Sequence, residues 1–257
     1  MLYAISALHG YAIEASDGPI GSVRDVLFDD RSWKVRWLVV ETGSWLMQRK
    51  VLLHPTAVLT SDHDLHRFDV NLSKAQVEGS LGIAQDLPVS RQMESSLYEY
   101  YDWDPLWGSV SDFDAGAIAL PLRMPLLDED PRPLRVSQAI PGIHDDGDPH
   151  LRSISEVTGY GLHAEDGAIG HVENFLFDDV EWILSYLVVD TKNWWPGKHV
   201  LLSPYAVTAI DWPGKRIELD VTRDEVRSSP DWQPAAIIDR AYEMRLHHHY
   251  DWRGHGW

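Results

Sequence analysis

Apolar positions fall in short runs with strand-like spacing, separated by turn-forming Gly, Asp, Ser and Pro, and helical periodicity appears only after each such stretch. Asp17-Gly18 predicts a tight hairpin turn with a positive φ. In the strand that follows, Ile20, Val23, Leu27 and Phe28 supply the apolar side, and the slip in alternation near its end predicts a bulge. Asp29-Asp30-Arg31-Ser32 then turns the chain into a long strand over residues 33–42. Its Val35, Trp37, Leu38, Val39 and Val40 are apolar enough to require cover on both faces. Val51 to Leu53, Val58 and a last strand over residues 65–70 bring the total to about six, few enough for closure into a small barrel to remove the exposed edges. Ser73-Lys74-Ala75-Gln76 then reads as a capping box that opens a helix, and a second helix is expected over residues 90–101.

The same pattern occurs twice. A shift of 149 residues superimposes residues 2–108 on 151–257 without a gap, with about 37 of 107 positions identical. Asp17-Gly18-Pro19-Ile20-Gly21 meets Asp166-Gly167-Ala168-Ile169-Gly170, and Leu27-Phe28-Asp29-Asp30 meets Leu176-Phe177-Asp178-Asp179. Leu38-Val39-Val40 with Thr42 and Trp45 recurs as Leu187-Val188-Val189 with Thr191 and Trp194. Val51-Leu52-Leu53, Pro55 and Val58 return as Val200-Leu201-Leu202, Pro204 and Val207, and Tyr101-Asp102-Trp103 as Tyr250-Asp251-Trp252. In the second copy the last strand falls at 216–221, Thr222-Arg223-Asp224-Glu225 is the capping box, and the second helix is expected over 236–250. A register kept over so long a unit indicates a duplicated domain, not a short solenoid repeat.

Residues 1–108 and 151–257 are therefore expected to be two domains, each a small β-barrel with trailing helices that closes around its own interior. Residues 109–150 hold six prolines and the acidic runs Asp128-Glu129-Asp130 and Asp145-Asp146-Gly147-Asp148, the composition of a linker. The apolar residues from Ala117 to Leu127 predict that part of it packs on a domain surface.

The succession Asp-Gly-x-Ile-Gly, Leu-Phe-Asp-Asp, Trp-x-x-x-x-Leu-Val-Val-x-Thr and Val-Leu-Leu-x-Pro, present twice in constant order, resembles the PRC-barrel domain. That family includes the cytoplasmic domain of the photosynthetic reaction-centre H subunit and the C-terminal part of the ribosome-maturation factor RimM. The resemblance covers 70–80 residues of each copy and implies a small barrel used as a docking module, with no shared catalytic residues to carry over. The membrane helix of the H subunit and the separate N-terminal domain of RimM have no counterpart here. The tandem acidic arrangement is closer to stand-alone bacterial PRC-barrel proteins. The expected fold class is thus α+β, two six-stranded PRC-like barrels related by internal duplication.

Charge and composition narrow the function. Forty Asp and Glu against 22 Lys and Arg give a net charge of −18, spread over both copies and the linker, which repels nucleic acid and anionic membranes. The absence of cysteine excludes disulfides and thiolate chemistry, and no apolar run is long enough for a spanning helix. The first residues lack the basic region and apolar core of an export signal, which predicts a soluble cytoplasmic protein.

Candidate chemistry is sparse. His247-His248-His249, with Asp251 and His255, is the best metal candidate, His247, His249 and His255 above all. Against it, the first copy has Tyr98, Glu99 and Tyr100 where the three consecutive histidines stand, and successive helical positions point apart. His144 to Asp148 lacks the spacing of a calcium loop. The pairs Asp29-Asp30 and Asp178-Asp179 read as turns whose side chains cap backbone groups, and Glu94 and Glu243 as an ion pair or an exposed helix face. No nucleophile, base and orienting group can be named together, so no enzyme and no cofactor are expected. Twelve tryptophans are unusual for this length, and Trp45, Trp103, Trp107, Trp194, Trp195, Trp252 and Trp257 are candidate interface residues. The expected function is a scaffold that docks a protein or associates with itself as a homo-oligomer. The alternative is a small-ligand or metal-binding regulator that uses the cleft between the barrels or the C-terminal histidines.

Overall fold

The structure, a computed structural model, describes residues 1–80, 82–83, 91–103, 148–191, 198–233 and 238–252. The first half runs β1 (Leu2–Ala4), β2 (Ala12–Ala15), β3 (Gly18–Asp29), β4 (Val35–Thr42), β5 (Lys50–Leu53), β6 (Val58–Asp62), β7 (Arg67–Val70), α1 (Lys74–Gly79), β8 (Gly82–Ile83) and α2 (Arg91–Tyr101). The second runs β9 (Leu151–Ser153), α3 (Ile154–Val157), β10 (Gly161–Ala164), β11 (Gly167–Asp178), β12 (Ile183–Asp190), β13 (His199–Leu202), β14 (Val207–Asp211), β15 (Arg216–Leu219), α4 (Arg223–Ser228) and α5 (Arg240–His249). This is a mixed α+β fold with two related sheets.

Local chemistry explains the shared elements. Gly18 and Gly167 hold φ at 126° and 138°, a region open to glycine, where the β2–β3 and β10–β11 hairpins turn. The second glycine of the motif has a different task. A Cβ on Gly21 would lie 2.0 Å from the Glu41 carbonyl oxygen, and one on Gly170 2.0 Å from that of Asp190, so only glycine lets the neighbouring strand approach. The expected slip is present as register shifts between Val23 and Asp25 and between Leu27 and Phe28. Both capping boxes form, Ser73 with Gln76 and Thr222 with Glu225. Trp33 is not in the strand assigned to it. At φ 58° it sits in the turn before β4, as Trp182 does at φ 54° before β12.

The sheets depart from the expected six-stranded cylinders. The first has eight strands in the order β6-β7-β2-β3-β4-β5-β8 with β9 on β3, and the second seven, β13-β12-β11-β10-β15-β14 with β1 on β11. Neither ladder joins its two ends among the described residues. The extra strands come from reciprocal exchange. Leu2–Ala4 pairs with Asp178–Leu176 of the second half, and Leu151–Ser153 pairs with Asp29–Leu27 of the first. The two registers are equivalent under the 149-residue shift, so the halves are related by a pseudo-twofold axis. The axis passes the bridge between Lys34 and Ile183, flanked by Val35 N–H donating to the Trp182 carbonyl (2.7 Å) and Leu184 N–H donating to that of Trp33 (2.8 Å).

The interior is shared as well. A single buried cluster runs from Ile5, Leu8 and Phe28 in the first half to Phe175, Phe177 and Trp182 in the second. The rings of Phe28 and Phe175 lie 6.0 Å apart across the seam, and those of Phe68 and Trp182 5.7 Å apart. The expectation of two separate interiors is corrected here, because three-residue strands with partly buried side chains are too short to hold an edge alone and are covered by the opposite half. At about 1.5–3 kcal/mol for each large side chain fully buried, the seam is a major part of the fold's stability. A protease site introduced between Asp130 and Pro131 tests this. After cleavage the two fragments are expected to co-elute from gel filtration as one species, whereas separation without denaturant would contradict the exchanged strands.

Candidate functional site at the seam

Each C-terminal helix lies on the outer face of its own sheet. In the first half Leu97 of α2 packs with Trp37, Val39 and Leu52, the second cover that the apolar run of β4 requires. This contact brings Glu94, 2% exposed, onto two donors: Trp37 Nε1–H gives to Oε1 at 2.5 Å and the Arg36 guanidinium to Oε2 at 2.9 Å. Arg36 also gives to Asp148 Oδ2 at 2.9 Å and stands 3.7 Å from Asp29 Oδ2. A buried carboxylate is stable only when paired in this way. His54 fills the remaining space, fully buried, its ring 5.4 Å from those of Trp37 and Tyr98. Its Nδ1 accepts from Thr56 N–H at the turn before β6. Burial, aided by the Arg36 charge, lowers its pKa to about 3, so the ring is neutral.

The second half repeats this framework with smaller groups. Ser185 stands where Arg36 does, Ser203 replaces His54, Tyr186 replaces Trp37 and His247 replaces Tyr98, while the glutamate is kept as Glu243. The Tyr186 hydroxyl reaches His247 Nε2 at 2.9 Å and Glu243 Oε1 at 3.4 Å. Burial raises the pKa of Glu243, and the charge of Asp178 adds to it.

A cleft of about 1190 Å³ lies between the halves. Ser185, Tyr186, Ser203, Tyr205, Trp212 and His247 line it from the second half and Asp30, Arg31 and Trp33 from the first. One wall is a chain of contacts. Asp30 takes His150 Nδ1 at 2.9 Å and Arg152 Nε at 3.3 Å, and the Arg152 guanidinium lies 3.9 Å over the Trp212 ring. On the opposite side of the axis the matching Asp179 takes His63 Nε2 at 3.1 Å, with Tyr3 stacked on His63 at 3.6 Å.

The paired aspartates thus divide their work. Asp29 and Asp178 cap their turns, accepting from the N–H groups of residues 31–32 and 180–181. Asp30 and Asp179 tie the halves together, a role that the reading of both as turn caps missed. Glu94 makes the expected ion pair. Among the tryptophans, Trp45 gives its Nε1–H to the Ile20 carbonyl at 2.7 Å, and Trp103 and Trp252 stack on Tyr101 and Tyr250 at 4.2 and 4.4 Å. All three pack on their own half, while Trp33 and Trp182 stand at the seam. Trp107, Trp194, Trp195 and Trp257 lie outside the described residues. His247 meets Tyr186, whereas His249 Nε2 meets the Glu225 carbonyl at 2.8 Å, so the two are not brought together. His255 lies outside the described residues, among which no group of three or more His, Asp or Glu is placed to hold a metal.

His54 carries a pH dependence. The unfolded chain takes up a proton on this ring near pH 6.5 and the folded protein only near 3, so stability falls as pH drops through that window. The slope is about 1.4 kcal/mol per pH unit. His54→Ser, which installs the side chain found at Ser203, is expected to flatten the change in urea midpoint between about pH 7.5 and about pH 5. An equal loss in the variant would remove His54 as its source.

No helix among the described residues is long and apolar enough to cross a membrane. No curated protein matches the chain. The model of the PRC-barrel domain matches residues 2–77, which span β1 through most of α1 and include both exchanged and core strands of the first half. The match over this segment agrees with the resemblance of its motifs to that domain.

Proposed function

We infer that the chain is a non-enzymatic cytoplasmic scaffold, two PRC-type barrels fused into one rigid platform that docks a protein partner at the seam. The observation that supports this reading most is the cleft itself. It lies between two bodies locked by exchanged strands, is open on one side of the pseudo-twofold axis, and is walled by aromatic rings of the kind enriched at interfaces. The carboxylates around it serve binding and structure, Asp30 through His150 and Arg152 and Asp178 through its turn. Self-association belongs to the same reading, with Tyr205 (62% exposed) and Leu59 (68%) available for contact beside the outer strands β14 and β6.

A small-ligand regulator is the second reading, favoured by the volume of the cleft, which is close to that of small-molecule sites. A photo-crosslinking residue placed at Tyr205 and activated in the source cell separates the two. Docking predicts a discrete protein adduct that disappears when Ser185→Trp fills the cleft and that is absent when the probe is placed at Met47, which is 90% exposed and outside the cleft. An adduct of twice the chain mass, with matching light scattering, identifies self-association. No protein adduct from position 205, together with a small molecule that copurifies with the chain, would replace docking by the ligand reading.

A further inference from the structure

We propose that the open cleft receives a guanidinium group, the side chain of an arginine on the docked partner, in the place that Arg36 fills in the other half. This rests on reading the cleft as a docking site, and the protein itself supplies the template. In the first half three carboxylates surround the Arg36 guanidinium, Glu94 from α2 and Asp148 at 2.9 Å each and Asp29 from the end of β3 at 3.7 Å. The second half keeps Glu94 and Asp29 as Glu243 and Asp178, at positions related by the 149-residue shift, and has Ser185 where the arginine would be. Ser185 brings no cation to these two carboxylates.

The two glutamates differ in their partners. Glu94 uses Oε1 for Trp37 and Oε2 for Arg36, whereas Glu243 uses Oε1 for Tyr186 and has no ion pair within 4 Å among the described residues. Its pKa is raised by burial first and also by Asp178, against the opposing effects of the Tyr186 hydrogen bond and the Met1 amino group. Asp178 is partly neutralised by the amino group of Met1, 3.1 Å from Oδ2. Arg31 lines the cleft from the first half and is exposed, and His247 is turned to the Tyr186 hydroxyl.

Shape points the same way. A guanidinium is flat, weakly hydrated and stacks on aromatic faces, which a lysine ammonium does not do as well. Trp33, Tyr186, Tyr205 and Trp212 provide such faces, and Arg152 already lies on Trp212 at 3.9 Å. Replacing His54 by Ser203 clears the volume through which an incoming side chain would enter. The net charge of −18 attracts a basic segment from a distance.

The test is calorimetric titration of the full chain with three probes: the capped tripeptide Gly-Arg-Gly, capped Gly-Lys-Gly and agmatine. The arginine peptide is expected to bind at one site, roughly tenfold tighter than the lysine peptide. Glu243→Gln should weaken it by about tenfold, and Ser185→Arg, which supplies an internal guanidinium, should abolish binding while raising Tm. Far-UV circular dichroism confirms that each variant is folded, and should Ser185→Arg fail to fold, Glu243→Gln with Tyr205→Ala carries the comparison. No saturable heat with the arginine peptide up to about 10 mM, or binding indifferent to both Ser185→Arg and Glu243→Gln, would overturn the proposal. Agmatine binding as tightly as the peptide would overturn a partner protein as the source and indicate a free guanidinium compound. A crosslinked adduct at position 205 that persists in Ser185→Arg would leave docking intact and remove arginine from it.

Discussion

The structure depends on the exchange of two three-residue strands. β1 lies on β11 and β9 on β3, each completing the sheet of the opposite half, and everything at the seam follows from that reciprocity. The exchanged strands bring Ser6 to Asn174 and Ser153 and Ser155 to Asp25, which fixes their register by side-chain hydrogen bonds at equivalent positions. They also carry Arg152 to Asp30 beside the cleft and Tyr3 to His63 on the opposite side of the axis. The ladder alone would be marginal, since two-stranded pairing of this length has little stability in water. The shared aromatic interior supplies the rest.

Much of this was legible in the sequence. Duplication, hairpin turns, bulges and capping boxes rest on local chemistry repeated twice, and each was found where the residues put it. Strand exchange was hidden by the duplication itself. Leu2 and Leu151 have the same apolar neighbours in either partner, so hydrophobic pattern cannot say which copy of Leu-Phe-Asp-Asp a strand will join. Trp33 was misplaced for a related reason. It is apolar and adjacent to a strand, and the left-handed backbone that removes it from β4 is a conformation a tryptophan seldom adopts.

The site was harder to read because its signal is a difference between copies. Comparison by identity selects Glu94 with Glu243 and the paired aspartates, which are the constant parts. Arg36 against Ser185 and His54 against Ser203 look like ordinary surface variation until the structure places both pairs under a helix, beside a retained glutamate that is buried as Glu94 and half-buried as Glu243. The tryptophans misled in the opposite direction. Trp45, Trp103 and Trp252 are conspicuous in composition, yet their partners are the carbonyl of Ile20 and the rings of Tyr101 and Tyr250 in the same half. Abundance of an amphipathic ring identifies a place that needs both packing and a donor, and the packing of one half on itself satisfies that need as well as an interface does.

Fusion of the two halves gives the molecule an asymmetry that a symmetric dimer of single modules cannot have. In such a dimer every substitution occurs twice, so an arginine at the position of Arg36 would fill both clefts and a serine would open both. Opening both would leave two buried glutamates without their cation, each a loss of several kcal/mol. In one chain the halves vary independently. The first keeps Glu94 neutralised by Arg36, with His54 packed against the pair, and retains the full stability of that cluster. The second gives up part of it, easing the cost through the Tyr186 hydroxyl and the raised pKa of Glu243, and obtains an accessible cavity in return. The exchanged strands then couple the two, because the filled half holds β9 and thereby Arg152 and Trp212, the wall of the open one. The closed ion-pair cluster and the open cavity thus stand in different copies of one repeated unit.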